Sequence, residues 1–267
     1  MLRFLFPPSL GRARASARAE FLQRALSEAL GDEIEVDVAA DYHALEARAL
    51  AGEAEIVWAP SGVCARIEAG ARSVFKVVRG GSATYRAALV ARAGSGISLA
   101  NLRGKNAAWV DPLSVGGYLL IRAHLASRGI DPDTTFAQQR FVGSHPAVVA
   151  AIVHGDADVG AVTVPRIDEA SVREAIGVYV GTVAGRIEVI TISDEAPTDA
   201  IVLTRRLGAV DARRIEALLA PEGIDVRPPR CLLDVMQAET LVRARPGEYQ
   251  EVSRLVRFTA AAANVRR

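Results

Sequence analysis

The chain has 267 residues, half of them hydrophobic and 24% charged, with Lys+Arg 32 against Asp+Glu 31. That composition excludes global disorder and fibrous repeats, and a formal net charge of +1 gives no field to draw nucleic acid or an anionic membrane. Cys64 and Cys231 are the only cysteines, so no disulfide scaffold is built.

Short β-type runs alternate with helical patterns along the chain. Leu2–Phe6 reads as a strand, and Ala15–Leu30 as an amphipathic helix stopped by Gly31. Glu33–Val38 follows as a half-exposed strand. Asp41 stands in an N-cap position before a helix over Tyr42–Leu50. Ala54–Trp58, a helix over Ser61–Ala69 and a strand over Ser73–Val78 complete a βαβαβ order, which predicts a mostly parallel sheet with helices on both faces.

Tyr85–Ala93 is an extended apolar run ending in Gly94-Ser95-Gly96, and the rhythm then returns. Strands are predicted at Asn106–Val110, Arg140–Val142 and Asp158–Val162, with helices at Ser114–Ser127 and His145–His154 between them. Ile187–Ile192 leads through Ser193–Thr198 into a β-type run over Asp199–Leu203. Helical patterns at Asp211–Ala220 and Glu248–Ala262 close the chain and are expected to pack back on the first lobe. Two α/β lobes joined by paired extended segments would form a hinged cleft, with ligands beyond the carboxyl ends of the strands and beside helix N-termini.

Two junctions carry chemistry. Val110-Asp111-Pro112-Leu113-Ser114-Val115-Gly116-Gly117-Tyr118 ends a strand and opens a helix, where unpaired N–H groups can hold an anion. The same residues also read as a plain turn with a serine cap. Gly143-Ser144-His145-Pro146 opens a second helix, with proline near the first turn, where its missing N–H does no harm. Arg12, Arg14 and Arg18 lie between the first strand and the first helix, either as anion contacts or as a solvated basic face. His154 suits a helix C-terminus, and His43 and His124 have no partner at metal spacing, so no metal is expected. No nucleophile–base–acid set and no phosphate-binding P-loop is evident, so no catalytic residue and no cofactor is assigned.

Leu102-Arg103-Gly104-Lys105, the Asp111–Tyr118 turn, Gly143-Ser144-His145 and Gly155-Asp156-Ala157-Asp158-Val159-Gly160-Ala161 occur in one order and spacing. Together with Asp41-Tyr42, Ala54–Trp58 and Pro197-Thr198-Asp199, they resemble the phosphonate/phosphate/phosphite substrate-binding proteins of ABC transporters. The resemblance covers residues 2–205 clearly and the tail loosely. It implies a two-lobed type II periplasmic-binding-protein fold, with lobe one at residues 1–88 plus 198–267, lobe two at 89–197 and the ligand cleft between them. Ser114 and the backbone of Val115, Gly116 and Gly117 would hold the anion, although Val115 and Gly116 replace two of the three hydroxyl residues usual in that family. His145 and Tyr85 match ligand contacts, Asp199 matches an acid able to pair with a ligand amine, and Ala59 replaces a second family tyrosine.

The expected function is therefore a solute-binding protein, not an enzyme, that closes around a small phosphate-like or phosphonate anion and hands it to an ABC permease. The alternative is a cytoplasmic sensor or a module that binds a regulatory protein; a lyase or a regulator's effector domain on the same fold ranks below both. The chain as written opens without a cleavable leader pattern and has no run long enough to span a membrane. A cytoplasmic location is expected on that basis, or a periplasmic one if a leader was removed.

Overall fold

The computed structural model describes residues 1–9, 11–164, 172, 176–177, 185–220 and 228–264, with the side chains of 12 and 258–264 outside that set. The chain divides into two compact units: Met1–Pro8, Arg12–Ala83 and Pro197–Ser253 form the first, while Ser9–Gly11, Thr84–Ala196 and Arg254–Arg267 form the second. The first crossing thus falls at Ala83/Thr84 and the second at Ala196/Pro197.

The first unit carries β1 (Leu2–Phe6), α1 (Arg12–Leu30), β2 (Ile34–Val38), α2 (Tyr42–Leu50), β3 (Ile56–Ala59), α3 (Ser61–Ile67) and β4 (Ala71–Val78). The second carries β5 (Thr84–Arg92), β6 (Asn106–Trp109), a π-helical turn at Val115–Leu119, α4 (Leu120–Ala126), α5 (Pro132–Thr135), β7 (Gln138–Phe141), α6 (His145–His154), β8 (Val159–Val164) and β9 (Ile187–Ile192). A two-residue β10 (Ala196–Pro197) marks the return crossing. β11 (Ala200–Thr204), α7 (Ala209–Leu219), α8 (Arg230–Met236), β12 (Thr240–Arg243) and α9 (Gln250–Asn264) follow.

The sheet of the first unit has the order β12-β4-β11-β3-β1-β2. β1 pairs parallel with both β2 and β3, as helical crossovers require. β11 lies between β3 and β4 and is antiparallel to both, and β12 is antiparallel to β4. The sheet is therefore mixed, where the alternating rhythm predicts mostly parallel pairing. The cause is topological: β11 enters directly from a crossing, with no helix to reverse its direction. In the second unit β6 is parallel to β7 and β8, whereas β5 is antiparallel to β8 and β9.

Each unit has its own core. In the first, Phe4, Phe6, Ile56, Trp58, Phe75 and Ile201 from the sheet meet Leu22 and Leu26 of α1 and Ile215 of α7. In the second, Ala88, Val90, Ala108 and Val162 meet Val148, Val149 and Ile152 of α6. α2 starts where Asp41 predicts, its carboxylate accepting from Ala44 N at 2.7 Å.

Candidate functional site

The site is built where β6 and β7 end. Beyond Trp109 the chain turns at Asp111, whose carboxylate accepts from Leu113 N at 2.8 Å. Ser114 then caps the next helix, its Oγ accepting from Gly117 N at 3.1 Å. That helix begins as the π-helical turn Val115–Leu119 before settling into α4. Such wide turns carry poorer internal hydrogen bonding and occur often at functional positions. The second junction lies beside the first: Val142 N donates to Trp109 O and Gly143 N to Val110 O, each at 2.8 Å. Ser144 caps α6 by accepting from Ala147 N at 3.4 Å, and His145 and Pro146 open that helix.

Packing explains the two glycines of the turn. A β-carbon at Gly117 would stand 2.6 Å from Val110 Cβ and 2.8 Å from Ser114 Oγ, so only glycine fits. A β-carbon at Gly116 would overlap the Thr163 hydroxyl and stand 2.9 Å from Tyr85 Cε2. Thr163 Oγ1 in turn lies 3.3 Å from His145 Nε2. Ser114, Val115, Gly116, Gly117, Tyr85 and His145 are thereby gathered within the second unit, with Thr163 as a member that sequence reasoning missed. Its signal was a single hydroxyl in the otherwise apolar run Val159–Val164.

Charge is nearly absent from this cluster. His145 is 7% exposed, and burial pulls its pKa down to about 4, so the ring is neutral at pH 7. Ser114 is 3% exposed and Asp111 is buried with its carboxylate turned onto backbone N–H. Behind the turn, Tyr118 packs edge-on to Phe141 at 4.9 Å, and Trp109 lies 5.7 Å from Tyr118, so an aromatic wall holds the π-turn in place. The arrangement can bind an oxyanion through N–H and hydroxyl dipoles, and it contains no nucleophile activated by a base.

Asp199 belongs to the first unit. Its carboxylate takes two bonds from Arg79, at 2.6 and 3.1 Å, and one from Trp58 Nε1 at 2.5 Å. Arg79 also donates to Met236 O, and Arg18 donates to Val235 O at 3.0 Å. Both arginines thus cap the last carbonyls of α8, where cations are favoured. Burial and the neighbouring Arg14 and Arg79 lower the Arg18 pKa. Arg12, Arg14 and Arg18 all lie in α1 and not in the turn before it, because the helix begins at Arg12; Arg14 is exposed, and the Arg12 side chain lies outside the described residues. Among the described residues no cluster of His, Cys, Asp or Glu is arranged to hold a metal ion.

A two-unit α/β chain with a mixed sheet in each unit has the architecture of the type II periplasmic-binding class. A sequence profile for the periplasmic phosphonate substrate-binding protein of ABC transporters matches residues 4–249, and the chain belongs to that family. Its members are binding components of transport, not enzymes; they take small anionic ligands, work with an ABC permease and are periplasmic in importers. The fold is similar to that of a binding-protein component of an ABC phosphonate transporter from Pseudomonas aeruginosa, with TM-score 0.80, 18% identity and 97% and 86% of the two chains covered. A Prochlorococcus marinus protein in complex with methylphosphonate gives TM-score 0.80 at 17% identity, covering 96% of this chain and 97% of that one. A Xanthomonas citri protein bound to chloride gives 0.75 at 20% identity over 98% and 99%. Among the described residues no helix is long and apolar enough to cross a membrane.

Proposed function

We propose that this chain binds a small phosphorus oxyanion without an ammonium group, a phosphate-like compound or a simple phosphonate, and presents it to an ABC permease. Ser114, the N–H groups of Val115 and Gly116, and His145 hold the anion, with Tyr85 against the same turn; the Gly117 N–H, expected to join them, is taken by the Ser114 cap. The observation that carries this reading is the juxtaposition of the two helix starts through Gly143 N and Val110 O, with Tyr85 against Gly116 and His145 joined to it through Thr163. Methylphosphonate in the Prochlorococcus marinus structure supports the same ligand class.

Asp199 supports the narrower part of the reading. A carboxylate that reads an amine must keep its charge available, yet Arg79 already matches this one in a two-bond pair. A ligand ammonium gains little there. Arg14 remains a candidate for long-range attraction of the anion, and the periplasm is the compartment we take with the family.

Thermal unfolding against phosphate, phosphite, methylphosphonate, 2-aminoethylphosphonate and sulfate tests this. A ligand at 100 times its Kd stabilises the native state by about 2.7 kcal/mol. The expected result is a rise with phosphate, phosphite or methylphosphonate, with no advantage for the amine and none with sulfate. Silence across the phosphorus compounds, or a preference for 2-aminoethylphosphonate, would overturn the reading.

A further inference from the structure

The segment Ser114–Gly117 carries one side-chain hydroxyl, that of Ser114, and this residue is 3% exposed and already accepts from Gly117 N. Position 116 has no side chain, and the space a side chain there would take is filled from elsewhere. The Thr163 hydroxyl lies inside contact distance of where a β-carbon of residue 116 would stand. Thr163 is also partly exposed within a strand whose other residues are all buried. The Thr163 hydroxyl therefore occupies the space that a side chain at 116 would enter.

Its partner gives that hydroxyl a direction. Nε2 of His145 is 3.3 Å from Thr163 Oγ1. A hydroxyl has one proton to donate and two lone pairs to accept with. When His145 Nε2 carries the ring proton, Thr163 accepts from it and its own proton turns away from the ring. We propose that Thr163 is a ligand-binding and specificity-determining residue, donating its hydroxyl proton to the oxyanion held by the Ser114–Gly117 turn, and that His145 acts on the anion as a positioning residue through Thr163. This rests on the anion-binding reading above and reassigns one contact within it: the hydroxyl of Thr163 replaces a direct bond from the His145 ring.

The test is calorimetric titration of wild type, T163S, T163V and T163A with methylphosphonate and with inorganic phosphate. T163S keeps the hydroxyl and should stay within about threefold of wild type. T163V keeps the shape and loses the donor, so affinity should fall by about tenfold to a hundredfold, the range for a hydrogen bond to a charged group. T163A removes the hydroxyl and the methyl together and should lose at least as much as T163V, and recovery by T163S is what a merely structural role for Thr163 would not produce. Nitrogen-15 NMR of the His145 ring adds an arm independent of ligand: the proposal requires the proton on Nε2. Binding by T163V equal to wild type, a loss in T163S as large as in T163V, or a proton on Nδ1 would each overturn it. If wild type binds neither probe, the anion-binding reading falls and this inference falls with it. Wild type that binds, with T163V equal to it, leaves that reading standing and overturns this inference alone.

Discussion

The buried, neutral state of His145 has a consequence for stability against pH. Its ring is 7% exposed and desolvation holds its pKa near 4; an unfolded chain would protonate it near the ordinary value of about 6.5. Between those values the unfolded state binds the extra proton, so stability rises with pH across that window and is lost as pH falls through it. Above about pH 6.5 the group costs nothing. A depression from about 6.5 to about 4 corresponds to roughly 3 kcal/mol, most of it lost by about pH 4.5. The perturbation is H145N, which offers a polar group of similar reach with no titration. Urea unfolding of both proteins at a series of pH values from 7.5 to 4.5 gives the difference. Wild type should lose about 2–3 kcal/mol more than H145N over that range. His124, whose pKa is also lowered by burial, and Glu68, whose pKa is raised by it, are common to both proteins and cancel. Parallel profiles for wild type and H145N would refute the reasoning. So would an NMR titration in which the resonance absent from H145N moves near pH 6.5.

Other outcomes follow from single contacts. G117A should cost about 2 kcal/mol or more by overpacking against Val110, and G117A/V110A should recover part of the loss in chemical denaturation. R79M should cost about 2 kcal/mol, because the Asp199 carboxylate, 19% exposed, would keep Trp58 but lose its countercharge. Y249F removes the bond from a fully buried phenol to Thr198 O at 2.6 Å and should cost about 1 kcal/mol by the same assay. In C231A the remaining thiol, Cys64, is buried with its pKa pushed well up by desolvation, so a disulfide reagent at pH 8 should label it only after unfolding. Rapid native labelling would contradict that burial.

Local chemistry made much of this chain legible before folding. The Asp41 cap, the helix opened by Gly143-Ser144-His145-Pro146 and the Ser114 turn depend on neighbouring residues, and they occur where the pattern places them. The strand at Arg140–Val142 was displaced to Gln138–Phe141, and α8 and β12 were missed, because short elements at a sheet margin carry too few periods to be read.

Three features were decided by tertiary structure alone. The sheet of the first unit is mixed because β11 arrives without a crossover helix. Asp199 looks like an available acid in the sequence, yet Arg79, 120 positions earlier, neutralises it. Gly116 reads as a lost hydroxyl, and the Thr163 hydroxyl of β8 occupies the space a side chain there would take. Caps and periodicity are short-range and so lie open in the sequence. Charge partners and shared volume are long-range, and only the packed chain brings such residues together.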